Sequence, residues 1–386
     1  MRAGVSWQNE SLSELPLSLP PVMHLRYTSL LLATALIVSC EPPDEDAKDL
    51  LARHHEKLRQ VDPESMTFQP PPELAATLGL NKNDHRAEVV FLQAHTSSAY
   101  QLFQKNMLTI LVGRQSGNRF TSFDASGKAE TQARQLREAI QRQAAAIIID
   151  PVENAEFSSL IAEALSASIP VISLDKHLQG CTTRVYCDPI EIGKAAGSLA
   201  VEALRRKAAE EGRDAPAGRV VQLRGSDDSR WCSEVAAGFG EALKAAPGVL
   251  IVHDAPTEGS AEKAFQRLAD AVRIQKQFDI VFAHSDTIAQ GVVKGANTYN
   301  IRENLLIAGV NALPGRNEGM HLLRSGEIDA TVGRPPLVDA ALEIVLKLRK
   351  DAAYKPKEEY PIPPFIITPA NLDQVTSKGF YRMPKL

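Results

Sequence analysis

Residues 144–176 read AAAIIIDPVENAEFSSLIAEALSASIPVISLDK, and no other stretch limits the fold as strongly. Ile147, Ile148 and Ile149 are three successive β-branched apolar residues, the pattern of a short strand buried on both faces. Asp150-Pro151 ends it. Over 153–167 the residues Phe157, Leu160, Ile161, Ala164 and Leu165 recur at helical spacing and predict one apolar face. A second buried strand is predicted over 169–174. Strand, helix and strand in so few residues make a βαβ unit, and both strands end on an aspartate. Ligands of open parallel sheets sit outside the carboxyl ends of the strands. Asp150 and Asp175 are therefore the first candidates for a binding role, although Asp150 before a proline also reads as a helix cap.

The same alternation continues on both sides. Strands are predicted at 88–92, 119–123, 184–186, 219–223, 250–252, 280–283, 305–310, 329–332 and 365–368. Helices are predicted at 100–111, 131–143, 190–211, 229–245, 261–275, 287–297, 314–325 and 336–350. Strict alternation argues parallel sheet with right-handed crossovers. So many strands in about 300 residues fit two sheets better than one, and 386 residues suffice for two cores.

The N-terminus reads as an address. Residues 23–26 (MHLR) form a short basic region, and 30–38 are almost wholly apolar but too short to span a bilayer. Ile37-Val38-Ser39-Cys40 resembles the lipobox of bacterial lipoproteins, which implies signal cleavage before Cys40 and its lipidation. Met23 then reads as the true start, leaving 1–22 as a start-site artefact or a disordered extension. Residues 40–86 read as a tether with one short charged helix. Its pair His54-His55 has no partner at ligand spacing, so no metal is expected. Of the remaining cysteines, Cys181 and Cys187 are close enough in sequence to pair outside the cytoplasm, or all three with Cys232 stay free. A formal net charge of −4 gives no basic footprint for nucleic acid.

At this point five segments carry a resemblance: IIIDPVENAEF, IPVISLDK, CDPIEIGKAAG, VFAHSDTIAQGVVKG and LLIAGVNA. In this order they resemble the sugar-binding group of type I periplasmic binding proteins, the ribose- and galactose-binding kind. The resemblance spans residues 87–371. It implies an α/β fold of two Rossmann-like lobes with parallel sheets, joined by a three-crossover hinge and closing on a ligand. The crossovers would fall near Asp188, Arg334 and Pro363. That assigns 87–187 plus 335–362 to an N-terminal lobe and 188–334 plus 363–386 to a C-terminal lobe. The same fold serves lactose-repressor-type regulators, but an export signal stands here where those carry DNA-reading helices.

The resemblance also implies contact residues. Tyr100 is best placed as the stacking aromatic after the first strand. Asp175 is the family's strand-end aspartate, and Lys176 replaces the arginine that often follows it. Ser233 stands where the family has an arginine, Ser285 where it has an asparagine, Asn311 where it has an aspartate, and Arg334 where it has a glutamine. Trp231 lies close by. Several of these residues have plainer readings too. Tyr100 can be a packed core tyrosine, Lys176 can face solvent, Asp286 can cap its helix, and Asn311 can simply shape a turn. Each lost charged hydrogen bond removes about 1.5–3 kcal/mol, a large share of the roughly 8 kcal/mol of a micromolar ligand. Arg114, Lys176, Arg230 and Arg334 would make the cleft basic, which suits an acidic sugar derivative.

No glycine-rich turn follows the first strand, and no P-loop, H-E-x-x-H or G-x-S-x-G motif is present. His284, at a predicted strand end, can be a general base or simply a polar cleft residue. The expectation is a non-enzyme without cofactor: a monomeric, lipid-anchored, periplasmic or cell-surface protein. It would hand a carbohydrate-like ligand to an ABC-type permease, or pass lobe closure to a signalling receptor.

Overall fold

A computed structural model describes residues 87–113 and 118–377, all within one compact unit, Leu51–Leu386. The lipobox and Cys40, the tether, His54-His55, Arg114 and residues 378–386 lie outside the described residues.

The chain builds two six-stranded sheets. The first half contains β1 (Glu88–Gln93), α1 (Ala99–Gly113), β2 (Arg119–Asp124), α2 (Ala129–Gln141), β3 (Ala146–Asp150), α3 (Ser158–Ser166), β4 (Val171–Leu174) and β5 (Thr183–Tyr186). The second contains α4 (Pro189–Glu210), β6 (Ala217–Arg224), α5 (Arg230–Leu243), β7 (Gly248–Pro256), α6 (Ala261–Gln275), β8 (Ile280–Ala283), α7 (Asp286–Thr298), β9 (Leu306–Asn311), α8 (Gly319–Arg324) and β10 (Ala330–Gly333). The chain then returns through α9 (Val338–Lys350), which packs on α1, and β11 (Glu359–Pro361), before β12 (Phe365–Ile367) and α10 (Leu372–Ser377). The strand orders are β11-β5-β4-β3-β1-β2 and β12-β10-β9-β8-β6-β7. All pairs are parallel except β10 with β12. The two halves thus repeat one topology, and each borrows its last strand from the C-terminal return.

The apolar runs become the central strands, as double-sided burial requires. β3 and β4 are buried at every residue, whereas the edge strand β2 is only partly buried. One apolar cluster runs through both sheets, joining Phe91, Ile148 and Leu174 to Phe282, Val310 and Val332 through residues of α4 and α9. The outer face of each sheet has its own cluster. Asp188 caps α4, accepting from Ile190 N with Pro189 in the first turn. α4 and α5 then pack backbone to backbone: a Cβ on Gly238 would lie 2.0 Å from Ile190 O.

Local periodicity misplaces two helix starts. α3 begins at Ser158, not at 153, because Val152 N is held by Gln132 Oε1 and Asn154 turns through φ 55°. α8 begins at Gly319, not at 314, because Met320 N donates to Leu313 O and Asn317 takes φ 64°. A long-range hydrogen bond overrides the helical pattern at α3, and a local turn does so at α8. The suggested Cys181–Cys187 disulfide is not formed, and Cys181, Cys187 and Cys232 are free thiols. β5 lies between the first two, and its 4 residues span about 13 Å at the usual rise, beyond the roughly 7 Å limit for a bridge. Among the described residues no helix is long and apolar enough to cross a membrane, and no group of three or more metal-ligating side chains gathers.

Candidate functional site

The carboxyl ends of both sheets meet around Arg334, which follows β10 directly. Its guanidinium lies 3.9 Å from the centre of the Tyr100 ring and 5.1 Å from that of Trp231. Nη2 pairs with Asp175 Oδ2 at 2.5 Å. Tyr100 starts α1 and Asp175 follows β4 in the first half; Trp231 sits in the first turn of α5 in the second. Four of the expected contact residues are therefore brought together, and they stack across the junction between the halves instead of lining an open gap. Tyr100 is 3% exposed, and the Arg334 side chain 12%.

The surrounding backbone explains why the stack forms here. Asp175 adopts φ 56°, a left-handed conformation that aspartate tolerates, and this ends β4 abruptly. Its Oδ1 accepts from Cys187 N at 3.3 Å, and Arg184 Nε donates to its carbonyl at 2.7 Å. Tyr100 donates its hydroxyl to Pro335 O at 2.6 Å, and Gln104 Nε2 donates to Pro336 O at 2.8 Å. α1 thereby clasps the segment that carries the chain from β10 back to α9. Burial raises the Tyr100 hydroxyl well above its ordinary pKa, against the pull of Arg334. Burial also opposes the Arg334 charge, but Asp175 with Tyr100 and Cys187 more than offsets it, so the guanidinium stays protonated.

Of the four cations expected to make the cleft basic, Arg114 lies outside the described residues and Lys176, Arg230 and Arg334 are paired with carboxylates. Lys176 Nζ donates to Pro151 O at 2.6 Å and lies 3.5 Å from Asp150 and 3.6 Å from Glu153. Arg230 is exposed and pairs with Glu234 at 2.7 Å. Asp150 does not cap a helix: α3 has no side-chain cap. Its carboxyl is instead raised by burial and lowered by Lys176. The loop after β3 is held by Gln132, whose amide spans Asp150 O and Val152 N at 2.8 Å each. Sequence reasoning passed over Gln132, although a glutamine in register with Leu136 and Ala139 on an apolar helix face signals such a buried clasp.

In the second half the expected residues divide. Ser233 is exposed, and its hydroxyl donates back to Ser229 O at 3.2 Å, so it does not join the cluster. Ser285 caps α7 by accepting from Ile288 N. Capping had been expected of Asp286, which instead turns inward and is 0% exposed. Asp286 accepts from Leu313 N at 3.0 Å, from Gly319 N and from Thr331 Oγ1 at 3.2 Å. Burial lifts its pKa to about 7 despite those donors. Asp286 thus anchors the loop that follows Asn311. Asn311 closes β9 at φ 100°, 8% exposed, with no partner for Oδ1 among the described residues.

Two mostly apolar grooves, of about 380 and 540 Å³, run along α4. The smaller touches Leu306 and Ala330, at the amino ends of β9 and β10 and so at the opposite edge of the sheet from the Arg334 cluster. The larger touches none of the expected contact residues.

Residues 89–350 match the model of the periplasmic binding protein domain. The chain belongs to that family. Among curated relatives of this periplasmic binding protein is the galactofuranose-binding protein YtfQ of Escherichia coli K12, 23% identical over 74% of this chain and 86% of the relative. Another is the ribose import binding protein RbsB of Bacillus subtilis, 22% identical over 62% and 72%. Similar solved structures include a galactofuranose binding protein, with a TM-score of 0.63, 21% identity, and coverage of 75% of this chain and 97% of that one. A myo-inositol-bound solute binding protein from Bacillus halodurans C-125 gives a TM-score of 0.64, 17% identity, and coverage of 77% and 99%. The fructose binding periplasmic domain of a hybrid two component system gives 0.63 at 21% identity over 75% and 93%. At these identities the structural likeness establishes the fold: two parallel-sheet lobes of the type I kind.

Proposed function

We propose that this chain is an extracytoplasmic solute-binding protein that grips a carbohydrate-like molecule between its halves and delivers it to an ABC-type transporter. The observation that carries this reading is the convergence of Tyr100, Asp175, Trp231 and Arg334 at the carboxyl ends of two sheets of identical strand order. A ligand there touches both halves only when they are closed, so its binding free energy biases a hinge. The relatives named for ribose import and galactofuranose binding support a sugar as the ligand class. A binding role without catalysis also fits the site, whose one central histidine is buried and uncharged.

In this reading the hinge lies at three crossings, after β5, after β10 and between β11 and β12, and divides the chain at 87–187 plus 335–362 and 188–334 plus 363–386. Arg334, at the second crossing, joins the halves and must leave Asp175 when they part. The leader over 23–39 directs export, and a lipidated Cys40 with more than one acyl chain holds the protein at the membrane. The protein acts as a monomer. Cys40→Ala is expected to release the processed protein or block processing, read by fractionation; a processed form retained in the membrane would exclude lipidation.

A second reading has the closed form signal to a membrane receptor, and the fructose-binding domain of the two-component system supports it. Ligand titration followed by Trp231 fluorescence tests what both readings share. Saturable change with a sugar is expected, and a flat response to every sugar removes both. Reconstitution with the permease then separates them: ligand-dependent ATP hydrolysis supports delivery.

A further inference from the structure

Along the second crossing, the backbone changes hands at residue 334. Arg334 N donates to Asn311 O at 3.4 Å, at the end of β9 in the second half. One and two residues on, Pro335 O and Pro336 O accept from Tyr100 and Gln104 of α1 in the first half. Arg334 is thus held by the second half through its backbone, while its side chain reaches the other way. Nη2 pairs with Asp175 Oδ2 at 2.5 Å, and the guanidinium lies 3.9 Å from the centre of the Tyr100 ring. Trp231, from the second half, faces the same guanidinium at 5.1 Å. One aromatic ring from each half therefore flanks it. The rims are close as well: the pKa of Arg230 on α5 is raised by Glu234 and, across the gap, by Glu153 in the loop after β3.

Tyr100, Asp175 and Trp231 are the residues assigned above to the ligand, and Arg334 engages all three. At 3.9 Å the guanidinium touches the Tyr100 ring, so nothing else can stack on that face. A buried ion pair offsets its desolvation only when the geometry is good and the remaining atoms are hydrogen-bonded. Asp175 meets that condition, since Oδ1 accepts from Cys187 N at 3.3 Å and Arg184 Nε fixes its carbonyl at 2.7 Å. The two ring faces add a cation–π attraction that grows as water is excluded. Arg334 meets the condition less completely, because Nε has no hydrogen-bond partner among the described residues. The contact is firm enough to join the halves and incomplete enough to be exchanged.

We propose that Arg334 is an autoinhibitory latch: with no ligand present it holds the two halves closed by taking the contacts that a ligand would take, and a ligand enters only as Arg334 leaves Asp175. This rests on the function proposed above, since the contacts that Arg334 fills are the proposed ligand contacts. The closed population is then set by the chain itself. A ligand shifts the equilibrium only by the amount that its own contacts exceed those of Arg334.

The test is small-angle X-ray scattering of the full chain without ligand, beside Arg334→Gln and Asp175→Asn. Glutamine keeps a polar side chain but carries no charge. Asparagine at 175 keeps an acceptor for Cys187 N and tolerates the left-handed backbone. Arg334→Gln should have a radius of gyration larger than that of the unaltered chain by about 5%, roughly 1 Å for a fold of about 290 residues. Asp175→Asn should shift the same way by less, and it replaces Arg334→Gln if that variant does not fold. Equal radii for the unaltered chain and the folded variant overturn the latch. D-ribose, D-allose, L-arabinose and myo-inositol are then added in turn. At least one should contract an expanded variant while leaving the unaltered chain unchanged. Contraction of the unaltered chain by any of them overturns the latch and keeps the solute-binding reading. Failure of all four to contract an expanded variant overturns that reading and keeps the latch.

Discussion

In the first half, the Tyr100 hydroxyl meets Pro335 O, the Asp175 carboxylate meets Arg334 and Cys187 N, and the Lys176 ammonium meets Pro151 O. In the second half, Trp231, His284 and Asn311 occupy equivalent strand-end or helix-start positions, and each keeps a buried polar atom unpaired. The halves have the same strand order, so topology does not account for the contrast. The difference lies in which half holds the hinge segment. Residues 335–337 return over α1, where Tyr100 and Gln104 donate to the carbonyls of Pro335 and Pro336. Those first-half groups serve the architecture, but the contrast is one of degree, because Gln93 Oε1 and Gln101 Oε1 of the first half are also buried without a partner among the described residues.

The comparison makes breaking the pair between first-half Asp175 and Arg334 costly to stability. Arg334→Met takes away the partner of a largely buried carboxylate, and a loss of about 3–5 kcal/mol is expected in chemical denaturation. A loss below about 1 kcal/mol would mean that the pair does not tie the halves together.

Asp286 sharpens the second-half side. Burial holds its folded pKa at about 7, above the ordinary aspartate value of 3.8. The folded chain therefore holds an extra proton between those values, and stability falls as pH rises from about 4 to about 7, by a ceiling of roughly 4 kcal/mol. Asp286→Asn removes this slope, so its denaturation midpoint should vary less than the parent's between pH 4 and pH 7. Parallel profiles would show that the carboxyl is ionised throughout.

Gly238→Ala drives a Cβ into Ile190 O and should cost about 1–3 kcal/mol. Hydrogen exchange should speed up in α4 and α5 and stay unchanged in β1 and β3; equal acceleration in both halves would erase the contrast. The smallest effect belongs to Tyr100→Phe, which loses one hydrogen bond to Pro335 O and about 1 kcal/mol, read as a small drop in denaturation midpoint with ring stacking intact. No drop would make that hydroxyl dispensable to the clasp.

Much of the fold was legible because burial and periodicity are local. Ile147–Ile149, the 261–275 helix and the 280–283 strand fall where the pattern puts them. The starts of α3 and α8 do not, because Gln132 binds the first from a distance and a local turn closed from Leu313 to Met320 delays the second. The site was legible in part. Tyr100, Asp175, Trp231 and Arg334 do meet, but the pairing of Lys176 with Asp150 and of Arg334 with Asp175 was not readable from the sequence. Lys176 looks free along the chain, and it is neutralised by residues that the turn after β3 folds toward it.

By itself, the order of apolar runs determined two mostly parallel sheets and which residues stand at their carboxyl ends. A strand buried on both faces must be apolar throughout, and its crossover has one hand. Only the tertiary structure decided which polar groups at those ends are spent on the protein and which are left over. Hydrogen bonds and ion pairs depend on angles and distances of a few ångströms between residues far apart in the chain, and nothing in the linear spacing of Asp175, Trp231, His284 and Arg334 encodes them.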